Sequence, residues 1–320
     1  MTAAGTRSSR QTRFRGQSIT SAVYGRIEQT LVDLPRDVVQ VSPLIPGSER
    51  LEDQPDDSLD YAAIAAPPGV LERRFALGHA LRALVSGGRL LALAPKDKGG
   101  TRIAAELRSF GCTVAEASRR HHRICEAERP ARRVATDEAI AAGGPCVPPS
   151  LGLWSQPGIF SWDRPDPGSV ALLRRLPPLA GKGADFGCGV GLLARAVLAN
   201  PQVSALHLVD VDRRAIDAAR RNVDDRRAAF AWFDLRAGGP PQAQGLDFVV
   251  MNPPFHDGRA EDKTLGETFI RRAAASLRPG GVCWLVANRH LPYEATLRSA
   301  FASQRQVEQA EGYKIYEAVR

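Results

Sequence analysis

Long apolar runs are missing from this chain. None of its hydrophobic stretches approaches the roughly 20 residues that a membrane helix needs. Its start, MTAAGTRSSRQTRFRGQ, carries basic residues with no apolar segment behind them, so it does not read as a secretory signal. Residues 1–20 are expected to be a flexible basic tail. Cysteine is scarce and scattered: Cys112, Cys125, Cys146, Cys188 and Cys283 form no C-x-x-C pair and share no ligand spacing with histidine. That excludes a disulfide framework and a structural zinc site, and favours a reducing, cytoplasmic setting. The adjacent His121 and His122 sit in a basic patch, and no metal is expected. A large charge excess is absent as well: 43 Lys and Arg against 35 Asp and Glu leave +8. Such a balance suits a polyanionic partner, although GC-rich coding gives the same bias toward Arg and Ala.

What is present is a 320-residue chain with 43% hydrophobic residues, enough for two cores of ordinary size. The second half alternates strands and helices. Short apolar runs stand at 183–187, 205–210, 228–234, 246–251 and 282–288, with helical patterns at 192–200 and 214–223 between them. This order predicts a mostly parallel sheet with helices on both faces. Pro and Gly cluster at 143–158 and 237–241, predicting a linker and a surface loop. The resulting division is a tail (1–20), a first domain (21–135), a linker (136–155) and a second domain (156–320).

The first half repeats the second. LDYAAIAAPPG (59–69) matches LDFVVMNPPFH (246–256), the pair Gly87-Gly88 matches Gly280-Gly281, and RICEA (123–127) matches KIYEA (314–318). Three matches in one order point to duplication. The first copy has no Gly-rich loop before its Pro-Pro, and Ala66 stands where the second copy has Asn252. It is expected to be degenerate.

ADFGCGVGLLARA (184–196) ends a strand and opens a helix, with Gly187, Gly189 and Gly191 in GxGxG spacing. Glycines let the backbone turn sharply and a ligand lie against it, and a helix start offers free N–H groups to an anion. Asp185 before the loop suits an ammonium group. Asp210, about 20 residues on, ends the next strand where a carboxylate can accept ribose hydroxyls. Asp234 ends the strand after that, placed for an adenine amine; Asp212 and Asp217 read as helix-cap or solvated positions. An ammonium, a carboxylate and a sulfonium together describe S-adenosyl-L-methionine.

After the apolar run LDFVV comes MNPPFHDG (251–258). An exocyclic amine shares its lone pair with its ring and is a poor nucleophile. Two acceptors that bind both N–H bonds favour the pyramidal state and the charge growing on nitrogen. The Asn252 side-chain oxygen and the Pro253 carbonyl form such a pair, held stiffly by two prolines, and Phe255 can stack on an extruded base. His256 receives no catalytic role.

With these motifs, residues 150–320 resemble class I S-adenosylmethionine-dependent methyltransferases. The resemblance implies a seven-stranded, mostly parallel Rossmann-like sheet in the order 3-2-1-4-5-7-6 with the seventh strand antiparallel. It also implies cofactor contacts at Gly187, Gly189, Asp210 and Asp234. QPGIFSWDRPDPGSVALL (156–173), NPPFHDG and VANRHLPYE (286–294) further resemble the tandem-domain small-subunit ribosomal RNA guanine-N2 methyltransferases, in which a degenerate methyltransferase domain precedes the active one. The phrase FSxDxxDxGS is carried here by Phe160, Ser161, Asp163, Asp166, Gly168 and Ser169; by position it folds over the cofactor, with Phe160 and Ser169 in contact. Trp162, Pro165 and Arg289-His290 depart from the family pattern.

The implied activity is methyl transfer to a guanine N2 amine of 16S ribosomal RNA by a cytoplasmic monomer whose partner is ribosomal RNA or the small subunit. Other planar amines suit the same grip: adenine N6, a large-subunit guanine or a protein glutamine amide. A non-enzymatic RNA-binding assembly factor is the third reading. The Arg-rich stretches 119–123 and 129–133 are expected either to contact RNA or to be solvated charge.

Overall fold

The computed structural model describes residues 20–254, 256–257, 260–261 and 263–320, without the side chains of 255–263. Residues 1–19 of the expected tail lie outside the described residues. Two sheets carry the chain. The first comprises β1 (Ser21–Tyr24), β2 (Val38–Gln40), β3 (Leu59–Ala65), β4 (Leu84–Pro95), β5 (Val114–Arg119) and β6 (His122–Glu128), in the order β2-β1-β3-β4-β6-β5. The chain continues through β7 (Gly181–Phe186), β8 (Val203–Asp210), β9 (Ala228–Trp232) and β10 (Leu246–Met251). A small hairpin of β11 (His256–Asp257) and β12 (Ala260–Glu261) precedes β13 (Leu277–Asn288), β14 (Ser303–Ala310) and β15 (Tyr313–Val319). The second sheet runs β14-β15-β13-β10-β7-β8-β9, with β15 antiparallel to both neighbours and the other pairs parallel. Counted within the second half, that is the order 3-2-1-4-5-7-6.

Helices α1 (Val70–Ala83), α2 (Ile103–Ser109) and α3 (Thr136–Gly143) belong to the first half. Thr136–Gly143 lies in the stretch read as a linker, and it packs on α1 where small residues permit close approach. A Cβ added at Gly143 would stand 2.4 Å from Phe75 Cβ. The second half holds α4 (Pro167–Leu173), α5 (Leu192–Leu198), α6 (Arg213–Asn222), α7 (Lys263–Ser276) and α8 (Glu294–Ala300). Side chains alternate across the sheet with period two. Ala184 and Phe186 of β7 pack with Ile270 of α7 and Leu297 of α8. Leu206 and Leu208 of β8 pack with Leu193 of α5 and Ile216 of α6 on the other face. Both faces are thus covered, which explains the continuous apolar strands.

The duplication extends to details of register. Gly87 and Gly280 have φ of 78° and 77°, a left-handed conformation that side chains resist. Both lie in equivalent irregularities, where pairing steps from Leu59–Leu84 to Tyr61–Arg89 in one sheet and from Leu246–Leu277 to Phe248–Val282 in the other. The same register aligns Ala65, not Ala66, with Asn252, because the first copy has one extra residue before its prolines. The first sheet has six strands among the described residues, one fewer than the second. Counterparts of β9, α5 and α6 are absent from it.

Register also shows how the first copy lost its site. Tyr24 faces Ile64 as Phe186 faces Met251, so Val23 occupies the position of Asp185 and Gly25 that of Gly187. Gln40 fills the turn, its side chain bonding both the N–H and the carbonyl of Gly25 at 3.2 and 3.0 Å. Beyond the Pro-Pro pair, the fully buried Arg73 donates Nη1 to the carbonyls of Pro67 (2.9 Å) and Pro68 (3.0 Å). Its remaining edge is held by the Glu106 carboxylate through two bonds of 2.7 Å. A guanidinium therefore saturates the carbonyls next to which the second copy keeps Asn252. Removing Glu106 leaves that cation buried without its anion. Glu106→Ala is expected to destabilise the protein by about 3–5 kcal/mol, read from urea unfolding. Arg73→Met combined with Glu106→Leu should lose much less.

Candidate active site

The site lies at the carboxyl ends of β7, β8 and β10, where the strand order reverses, the usual ligand position in an open α/β sheet. Gly187, Gly189 and Gly191 have φ of 76°, 52° and 86°. At Gly189 no heavy atom stands within 4 Å of where a Cβ would be, so the loop leaves room for a ligand against bare backbone. Asp210 shapes that loop: its Oδ2 accepts from Gly189 N–H and its Oδ1 from Asp212 N–H, both at 2.9 Å. Asp212 in turn caps α6 by accepting from Arg214 N–H, the role read for it from sequence.

Asp185 is the electrostatic anomaly. It is fully buried, and neither carboxylate oxygen has a hydrogen-bond partner. Burial, with the nearby Asp210 adding repulsion, pushes its carboxyl up to about 8; the Ala194 N–H, which lies near but outside hydrogen-bond geometry, offsets only part of this. Burial likewise raises Asp210 to about 6, against the N–H groups of Asp212 and Gly189. A buried acceptor pair without donors is a standing deficit that a cationic ligand removes.

Asn252, Pro253 and Pro254 follow β10 directly, with Pro253 buried and Asn252 half-buried. The carboxamide of Asn252 is clamped. Its Nδ2 donates to Asp166 Oδ2 at 2.7 Å and to Ser169 Oγ at 3.0 Å. Asp166 also caps α4, accepting from Ser169 N–H at 2.7 Å. Because that carboxylate oxygen accepts, the edge of the amide facing it has to be the NH2 group. Oδ1 is left as the outward group, and no donor among the described residues reaches it.

Phe160, Asp166, Ser169, Gly187, Gly189 and Asn252 line one pocket of about 60 Å³. Pockets for small ligands usually offer about 300 Å³ or more, so this one is narrow in the ligand-free form. Phe160 is 61% exposed at the rim. Asp234 follows β9 and is held by Arg236 in a paired-nitrogen contact at 2.9 Å, so it is engaged inside the protein. Phe255 lies outside the described residues. Asp166 was visible in the FSxDxxDxGS phrase, but its role was not: it sits 86 residues from Asn252 in sequence.

Three of the six arginines in the basic stretches of the first half are paired with carboxylates. Arg123 pairs with Glu116, Arg129 with Asp57 and Arg133 with Asp56. Arg119, Arg120 and Arg132 are exposed and face no carboxylate among the described residues, so these stretches carry both paired and solvated charge.

Comparison with known proteins adds the lineage. The family model described as "Methyltransferase small domain" matches residues 150–317. A Pseudomonas aeruginosa protein named ribosomal RNA small subunit methyltransferase C is 31% identical over 290 residues, covering 88% of this chain and 86% of its own. A Shewanella halifaxensis protein of the same name is 38% identical over 165 residues, so that match spans about half of either chain (51% and 48%). Among solved structures, a T. thermophilus 16S rRNA N2 G1207 methyltransferase in complex with AdoMet and guanosine aligns over 94% of this chain and 88% of its own. The TM-score is 0.76 at 23% identity, a likeness of fold.

Proposed function

We propose that this chain, which belongs to the methyltransferase small domain family and to the ribosomal RNA small subunit methyltransferase C proteins, methylates the exocyclic N2 amine of a guanine in small-subunit ribosomal RNA. The observation that carries the reading is the clamped Asn252 amide, whose NH2 is committed to Asp166 and Ser169 so that Oδ1 is available to an incoming N–H.

The residues fit S-adenosyl-L-methionine. Asp185 supplies an unpartnered carboxylate for its ammonium group, and the open backbone at Gly189 gives its amino-acid portion room. Asp210, whose oxygens each retain an unused lone pair beyond the bonds to Gly189 and Asp212, accepts from the ribose hydroxyls. When bound, the cofactor supplies a methyl group activated by a sulfonium. Gly191 at the start of α5 completes the turn, Phe160 shields the open side, and Ser169 acts through Asn252. Asp234 would have to release Arg236 before it could receive an adenine amine.

Alignment of the reacting amine with the donor accounts for much of the barrier reduction. Asn252 Oδ1 and the Pro253 carbonyl accept the two N–H bonds, drawing the lone pair out of conjugation with the ring and offsetting the charge that grows on nitrogen. Phe255, two residues past Pro253, covers the face of the base. No strong base is required, because the product ammonium sheds its proton to solvent. Among the described residues no helix is long and apolar enough to cross a membrane, and the proposed setting is the cytoplasm, with a monomer acting on ribosomal RNA or the small subunit.

Nuclease digestion and mass spectrometry of ribosomal RNA from a deletion strain test the proposal. N2-methylguanosine in small-subunit RNA should fall and return on complementation with the intact gene. An unchanged level, or a loss confined to N6-methyladenosine, large-subunit RNA or a methylated glutamine, would reject this substrate.

A further inference from the structure

A second cleft lies apart from the catalytic pocket. It measures about 710 Å³ and lies between the two halves, walled by Arg50 of the first copy, Trp154 of the connecting segment, and Arg220 and Arg221 of α6. We infer that this cleft seats a single-stranded RNA segment flanking the target nucleotide; the inference rests on the proposed RNA substrate and deepens it.

Three observations support the assignment. The first is charge. The other ionised groups around the cleft are already paired: Arg50 with Asp217 at 2.8 Å, Glu52 with Arg213 at 3.2 Å, and Arg214 with Glu72 at 2.7 Å. Among the described residues no carboxylate contacts Arg220 or Arg221; they lie over the rings of Phe230 and Trp154 at 4.8 and 4.7 Å. Two guanidinium groups without counter-ions at the mouth of a cleft are suited to phosphates.

The second is stacking surface. Trp154 is 39% exposed although it is a large apolar side chain. Its backbone is fixed on both sides, with its N–H donating to Asn222 Oδ1 and its carbonyl accepting from Asn222 Nδ2, both at 2.8 Å. An indole held rigid, half-exposed and paired with a guanidinium plane offers the surface on which unpaired bases stack.

The third is continuity with the chemistry. The same Asn222 amide also bonds the carbonyl of Val190 inside the glycine loop at 2.9 Å. Leu151 lines the catalytic pocket while Trp154 lines the cleft. Three residues of chain span at most roughly 10 Å, a separation that adjacent nucleotides of one strand can bridge. A base entering the catalytic pocket therefore carries its neighbour to Trp154.

The test uses the full chain and a transcript of small-subunit ribosomal RNA. Trp154→Leu and the double substitution Arg220→Gln with Arg221→Gln should each raise the RNA Kd about tenfold or more. The double variant should also flatten the slope of log Kd against log salt by about 1.4, the value for two single-strand phosphate contacts. Calorimetry should show unchanged S-adenosylmethionine binding, and kcat at saturating RNA should hold while KM rises. Unaltered RNA affinity and salt slope in both variants would overturn the inference. So would unaltered affinity for bare RNA with impaired action on assembled subunits, which makes the cleft a seat for protein. A wild-type chain that neither binds nor methylates the RNA removes the underlying reading, and this inference with it.

Discussion

Replacing Asn252 by alanine is expected to lower kcat by roughly 100- to 1,000-fold, the usual effect of removing one group aimed at developing charge. Cofactor binding should persist, because the proposed cofactor contacts Asp185, Gly189 and Asp210 lie on and after other strands, β7 and β8. The fold should persist as well. Asp166 keeps its cap on α4 through Ser169 N–H, and losing the amide's two bonds to Asp166 and Ser169 costs on the order of 1–3 kcal/mol. Asp166→Asn is the companion experiment. Asparagine still caps a helix, but it can present either an oxygen or an NH2 and no longer dictates which way Asn252 points. A loss of roughly tenfold in kcat, about 1.4 kcal/mol, is expected without change in cofactor Kd. An Asn252→Ala enzyme with full kcat on ribosomal RNA would remove the amine grip from the mechanism.

The second large effect concerns Asp185 and is visible without turnover. Its folded-state carboxyl stands near 8, against about 4 in an unfolded chain. The folded protein therefore retains a proton that the unfolded chain has already released. Stability from this source is complete below pH 4, declines as pH rises, and is lost once pH passes about 8. Asp210, raised to about 6, contributes in the same direction over a narrower range. One pH unit of displacement corresponds to about 1.4 kcal/mol, so the decline for the ligand-free protein is on the order of several kcal/mol. Asp185→Asn should flatten the profile of Tm between pH 5 and 9 and leave the ligand-free variant more stable than the parent at pH 9. It should also bind S-adenosylmethionine at least about 30-fold more weakly, since the ammonium loses its charge-assisted partner. In the parent, binding at pH 7 should release protons, detectable by calorimetry in buffers of different ionisation enthalpy. Matching pH profiles for parent and variant would show that the carboxylate is ionised and satisfied in the free protein.

The degree to which the fold was readable varied with the type of signal. Gly87 and Gly280 were visible as a repeated pair because a left-handed backbone leaves few residue choices. Strands β7, β8 and β10, which carry or precede Asp185, Asp210 and Asn252, were visible because a sheet covered on both faces requires continuous apolar runs. The loss of a strand and two helices from the first copy was not visible. Residues 41–58 join β2 to β3 where residues 211–245 join β8 to β10, and a shorter connection does not by itself say which elements are gone. Nor was the exact pairing of Ala65 with Asn252, since aligning the prolines absorbs a one-residue insertion that only hydrogen-bond register exposes. Arg73 belongs to no motif in the sequence, yet it is fully buried.

By itself the sequence determined the duplicated α/β plan, the glycine turn, and the placing of an amide between an apolar strand and two prolines. Those properties arise from local preferences of a few adjacent residues. Only the tertiary structure decided which edge of that amide is spent, which carboxylate is stranded without donors, and where two uncompensated guanidinium groups flank a cleft. Each of these depends on partners far apart in the chain, and neither spacing nor composition encodes which distant groups will meet.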